Sequence, residues 1–144
     1  MRNKNIELET SILLVNDKLH FEGSVNGQKP ISIDYIAPLG DDKGYTSLEL
    51  LLLSLSSCLG SAVLVFLRRM QKTITGLEIK ATGYRKEQHP TCFFKIILML
   101  ELKSSNTGPE EAEKVIKLAE ETYCPVWAML KGNVEIIVKP VIIS

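Results

Sequence analysis

The side chains in this chain best suited to chemistry are its three cysteines, Cys58, Cys92 and Cys124. Cys58 sits inside SLELLLLSLSSCLGSAVLVFLRRM, an almost wholly apolar run from Ser47 to Met70. Cys124 lies in ETYCPVWAML, where Pro125 suits the first position of a new helix. A thiol at such a helix start meets backbone N–H groups and the positive dipole end, which favour the thiolate. Two thiols on helices packed together form a disulfide when their Cα atoms come within about 7 Å, a distance the sequence leaves open. Cys92 opens a strand and reads as a small hydrophobe. Taken singly, each cysteine also fits an inert, buried thiol, the usual fate of free cysteine.

The element that must position Cys58 is the Ser47–Met70 run. Apolar residues cover every face at a 3.6-residue period, so the run is expected to form a central helix buried all round. Ser54, Ser56, Ser57, Gly60 and Ser61 surround the cysteine and allow close approach of another backbone. Leu50 to Leu67 carries no charge and is just long enough to cross a bilayer of about 30 Å hydrocarbon thickness. Its small polar residues dilute the hydrophobicity and its flanks show no aromatic belt, so the run is read as a core helix.

The 144 residues suffice for one domain, 1–144, with one core. Seventeen basic residues balance seventeen acidic ones and no basic run stands out, which disfavours a nucleic-acid or anionic-membrane partner. MRNKNIELET has no apolar core and does not read as a signal peptide, so a cytoplasmic, reducing setting is expected. Three cysteines there are not a structural disulfide framework. The absence of a CxxC or histidine-rich pattern predicts no metal site, His20 and His89 being far apart.

Asn16-Asp17 between 6–15 and 18–25, then Asn26-Gly27 before PISIDYIA, predict three N-terminal antiparallel strands. A Gly/Pro loop over 37–46 follows, and Ser47 is placed to cap the central helix, which should fade between Met70 and Thr75. LEIKATGY (77–84) and CFFKIILMLELK (92–103) read as strands. Pro109 with Glu110, Glu111 and Glu113 opens a second helix that Cys124-Pro125 interrupts. VWAMLKG makes a short further helix and NVEIIVKPVII a last strand. Strands and helices are segregated, which predicts an α+β fold with antiparallel sheets.

TSLELLLLSLSSCLGSAV followed much later by YCPVWAML resembles the OsmC/Ohr family, in its OsmC-like redox protein branch. The likeness extends over nearly the whole chain, including the N-terminal hairpins and the loop with Gly40 and Gly44. It implies an OsmC-like fold, antiparallel sheets around a long central helix in an intertwined homodimer, with redox sites at the subunit interface. It also implies a thiol-dependent peroxidase, needing no metal or organic cofactor, that reduces small apolar organic hydroperoxides. Cys58 would attack the O–O bond, Cys124 would resolve the sulfenic acid to a disulfide, and a cellular dithiol would reduce it. Family peroxidases also orient the thiolate with a glutamate just before the central helix and an arginine from the N-terminal strands. Glu49 is the nearest carboxylate here, nine residues before Cys58, and those strands hold no arginine beyond Arg2. On a continuous helix nine residues would face Glu49 away from Cys58, so it reads more readily as a first-turn carboxylate favoured by the helix dipole than as a catalytic one. Arg68 and Arg69 read as a solvated last turn, His89 as a loop residue, and Tyr123 and Trp127 as packing residues that flank Cys124. The alternative on the same scaffold is a non-catalytic binding protein for an apolar or acyl ligand.

Overall fold

The computed structural model describes residues 6–144; Arg2 lies outside them. Internal contacts divide the chain into two compact units, with the boundary after Leu50. Each is described by itself.

In the first unit, strands β1 (Ser11–Leu14), β2 (Phe21–Ser24) and β3 (Ile31–Ile33) form an antiparallel sheet in that order. The strands are shorter than the runs that announced them because the turns claim their ends. Asn16 Oδ1 accepts the backbone N–H groups of Lys18 and His20, both at 3.0 Å, and closes the first hairpin. Gly27, at φ +85°, supplies the left-handed residue of the second. The following loop is organised by Asp34, which is buried. Its carboxylate accepts the N–H groups of Tyr35 (2.7 Å), Asp41 (3.2 Å) and Lys43 (3.1 Å). Gly40 is required inside this clasp, since a Cβ there would collide with the Tyr35 backbone carbonyl. No apolar side chain among residues 6–50 is buried.

Helix α1 (Ser47–Arg69) starts at the boundary and runs through the second unit. Its cap is Thr46 rather than Ser47. The Thr46 hydroxyl takes the Glu49 N–H at 3.3 Å, and the Glu49 carboxylate takes the Thr46 N–H at 2.9 Å. This is a capping box, with Thr and Glu three residues apart. Strands β4 (Ile74–Arg85) and β5 (Phe93–Ser104) pair antiparallel in a long ladder. Helix α2 (Pro109–Leu118) is opened by the Gly108 N–H bonding Glu111 at 2.9 Å. A single π-helical turn over Ala119–Tyr123, helix α3 (Pro125–Leu130) and strand β6 (Glu135–Ile143) complete the chain.

The second sheet corrects the expectation of purely antiparallel pairing: β6 runs parallel to β5, in the order β4-β5-β6. The helical segments between β5 and β6 carry the chain back to the start of β5, the crossover that parallel neighbours need. One face of the sheet is apolar. Leu77, Ile79 and Ala81 of β4 stand in register with Leu102, Leu100 and Leu98 of β5, and Val138 of β6 continues the row. The other face shows Glu78, Lys80, Glu101 and Lys103. Helix α1 lies on the apolar face at Gly60, where a Cβ would come within 3.4 Å of both Leu77 and Ile79. Such a close approach needs a small residue.

The burial of α1 departs from expectation. Leu55, Leu59, Ala62, Val63 and Leu67 are buried, whereas Leu53 is 52% exposed and Val65 44%. One chain covers one stripe of this helix and leaves the other side open, where Leu53 and Val65 flank Ser54, Ser57, Ser61 and Arg68.

Candidate functional site

The site is built from two elements of the second unit. Cys58 lies mid-way along α1, half-buried, where its i−4 and i+4 neighbours, Ser54 and Ala62, are small. Cys124 stands between the π-helical turn and α3 and is 2% exposed. Its N–H donates to the carbonyl of Ala119, five residues back, at 2.9 Å. The extra residue in that turn rotates the chain relative to a continuous α-helix, a feature frequent at functional sites. Cys124 itself is extended (φ −104°, ψ 98°) and Pro125 begins the next helix. The proline breaks the helical ladder just where the thiol must leave the helix surface.

The fold brings the two thiols together: Cys58 is close enough to Cys124 to act directly on its proton. Burial pushes the Cys124 thiol up to about 11, and the neighbouring Cys58 side chain pushes in the same direction. The backbone N–H groups of Trp127 and Val126 pull it down but do not win. The expectation that the helix start would favour a Cys124 thiolate is therefore corrected: desolvation of the charge exceeds what a six-residue helix offers. At neutral pH Cys124 is a protonated donor.

Cys58 opens onto a pocket of about 410 Å³. Ala62, Val65, Phe66 and Arg69 of α1 line it, together with Tyr123 from the π-helical turn. Positions 58, 62, 65, 66 and 69 recur at the helical period and share one side of α1. The Phe66 and Tyr123 rings lie 4.7 Å apart at 57°, and the Arg69 guanidinium sits 5.6 Å from the Phe66 ring centre. Arg69 is exposed in the last turn of α1, as expected, and from there it also reaches the pocket wall. The signal was its spacing of eleven residues from Cys58, three turns along the same face.

The remaining candidates fall elsewhere. Glu49 precedes Cys58 by nine residues on one continuous helix, about 13.5 Å of rise and two and a half turns. Its carboxylate is engaged by the Thr46 N–H and hydroxyl, both at 2.9 Å, and these bonds hold it below the usual carboxylate range. Arg85 is tied to the Thr91 carbonyl and hydroxyl. Arg68 is exposed, His89 lies in an exposed loop, and Trp127 is buried. Cys92 is exposed in the loop before β5, where its N–H bonds the Pro90 carbonyl at 2.7 Å; it is not the packed hydrophobe expected. Among the described residues no group of three histidines, cysteines or carboxylates converges to hold a metal ion.

A paired thiol at this place in an α+β fold was the basis of the resemblance, and comparison with known proteins bears on it directly. The model of the OsmC-like protein family matches residues 40–139, which include both cysteines. The chain belongs to the OsmC-like family. Among solved structures, a hypothetical protein from Aquifex aeolicus VF5 superposes with a TM-score of 0.83 at 25% identity, covering 95% of this chain and 96% of its own. An OsmC-like protein from Mycoplasma pneumoniae superposes with a TM-score of 0.83 at 22% identity, over 96% and 98% of the two chains. The organic hydroperoxide resistance protein OhrB of Bacillus subtilis gives 0.66 at 17% identity, over 95% and 99%. Curated proteins include no match. The two sheets and the long helix are therefore an OsmC-like α+β fold, and both thiols of the site lie within the matched region of that family.

Proposed function

We propose that this OsmC-like chain is a thiol-dependent peroxidase that reduces organic hydroperoxides through Cys58 and Cys124. The observation that carries the reading is the neighbouring thiol pair, one member open to a pocket and the other sealed. The Cys58 thiolate attacks the distal peroxide oxygen; the O–O bond breaks, the alkoxide takes a proton, and Cys58 becomes a sulfenic acid. Cys124, still protonated, is in place to condense with it: the S–S bond forms and water leaves. A cellular dithiol then reduces the disulfide by exchange and is itself oxidised. Apolar walls suit an alkyl group, and Ser61 beside Cys58 offers a hydroxyl to the peroxide oxygens.

The functional form in this reading is a cytoplasmic homodimer. Two observations support it: the open side of α1, with Leu53 and Val65 exposed among small serines, and an N-terminal sheet none of whose apolar side chains is buried. A second copy would cover both, and α1 serves as a packing helix rather than a membrane span.

Glu49 is spent on capping, and residues 6–50 contain no arginine. Those observations favour the second reading, a non-catalytic carrier of an apolar or acyl ligand in the same pocket. Titration of free thiols separates the two. One equivalent of cumene hydroperoxide added to the reduced protein should remove two thiols per chain, and Cys58→Ser should abolish the loss. Unchanged thiols, with a lipid retained in native mass spectra, would establish the carrier instead.

A further inference from the structure

Arg69, exposed at the end of α1, is the one cationic side chain in the wall of the Cys58 pocket, where Ala62, Val65 and Phe66 give an apolar stretch and Ser57 and Ser61 lie beside the thiol. Among the described residues no carboxylate pairs with it: every ion pair there uses a lysine. Its guanidinium is held over Phe66, whose ring is itself held by Tyr123. A cation resting on an aromatic face keeps its N–H edge available, because a ring face occupies none of the five donors. The separation from Cys58 is eleven residues, about 16 Å of helix rise, with Ala62 and Val65 between. A thiol at one end, apolar walls between and an unpaired guanidinium at the other describe a site for a chain with two different ends.

We infer that Arg69 is a specificity-determining residue, and that the Cys58 pocket selects amphiphiles carrying an anionic head group, a carboxylate foremost, over uncharged ones of the same length. This deepens the peroxidase reading and rests on the same pocket, since the anionic head would place the reactive part of the chain toward Cys58. Arginine suits a carboxylate because its planar fork matches both oxygens.

The test uses binding, so it does not depend on turnover. Decanoate and decanol, both below their aggregation limits, are titrated calorimetrically into the reduced full-length protein. Decanoate should bind at least tenfold more tightly, about 1.4 kcal/mol, and the preference should shrink as ionic strength rises. Arg69→Gln should collapse the ratio to under about twofold and Arg69→Lys should restore part of it, as charge recognition requires. Arg68→Gln, one residue away and outside the pocket wall, should leave the ratio intact. Equal binding of the two ligands, absence of binding by either, or a preference that survives Arg69→Gln or persists undiminished in high salt overturns the inference. The peroxidase reading is judged apart from it, by the thiol count with neutral cumene hydroperoxide. A protein that consumes both thiols yet ignores head-group charge therefore fails only here.

Discussion

At the scale of single residues, the division of labour between the two thiols rests on solvation. Cys124 is sealed, and burial raises its pKa from 9.0 to about 11. In the folded protein it holds its proton through a pH range in which the unfolded chain has released it. The unfolded state then binds fewer protons, so stability falls as pH rises. Below pH 9 this contribution is complete; between pH 9 and about 11 it drains away, by about 3 kcal/mol for two units. Urea denaturation of the reduced protein at stepped pH should show that decline, and Cys124→Ala should flatten it. Iodoacetamide at pH 8 should correspondingly modify the exposed Cys92 and leave Cys124 untouched. Glu49 belongs to a different account. Its carboxylate closes a capping box with Thr46, so Thr46→Ala should cost about 1 kcal/mol of stability. Glu49→Gln should leave the rate of hydroperoxide-driven thiol loss within about twofold of wild type, since the side chain lies two and a half turns from Cys58.

At the scale of elements, the π-helical turn and Gly60 decide where the site is. The turn inserts one residue between α2 and Cys124, and the N–H of Cys124 reaches back five positions to Ala119. Deleting Glu121 should restore ordinary α-helical pairing and swing position 124 by about 100°. One equivalent of hydroperoxide would then yield a lone sulfenic acid on Cys58, trapped by dimedone, rather than a disulfide. Gly60 sets the distance between α1 and β4. A bare Cβ would already touch Leu77 and Ile79 at 3.4 Å, so Gly60→Ala should be close to neutral. Gly60→Val adds two methyl groups with nowhere to go and should cost about 1–3 kcal/mol in thermal or urea unfolding. Both residues announce themselves only weakly along the chain. A π-turn has no distinct composition, and a glycine in a helix signals close approach without naming the partner.

At the scale of the whole molecule, apolar surface is the dominant fact. Leu53 and Val65 of α1 remain exposed, as do Ile12, Leu13 and Leu14 on the N-terminal sheet. Large apolar side chains left exposed within each unit of a globular protein mark places where something binds. In the proposed homodimer that surface is covered by a second copy, in a shared apolar interface of the obligate kind. Equilibrium sedimentation should therefore give about twice the 16.1 kDa chain mass. Leu53→Asp should shift the protein toward the single-chain mass and lower its melting temperature. For a free monomer the same change, at a half-exposed position, would be close to silent.

Much of this was legible along the chain. Both hairpin turns were spelled by Asn-Asp and Asn-Gly, the long helix by its uninterrupted apolar run, and α2 by Pro109 and the glutamates behind it. These features are local: a turn or a helix start is determined by residues within a few positions of one another. The two cysteines could likewise be picked out by their contexts. What the tertiary structure alone decided were relations between distant residues. The parallel pairing of β6 with β5 depended on how far the intervening helices carry the chain back. The meeting of Cys58 with Cys124, the sealing of one thiol and the opening of the other onto a pocket ended by Arg69 depended on which side of each helix faces the core. Whether a thiol ionises depends on the water around it, and that is fixed by packing between segments far apart in the chain.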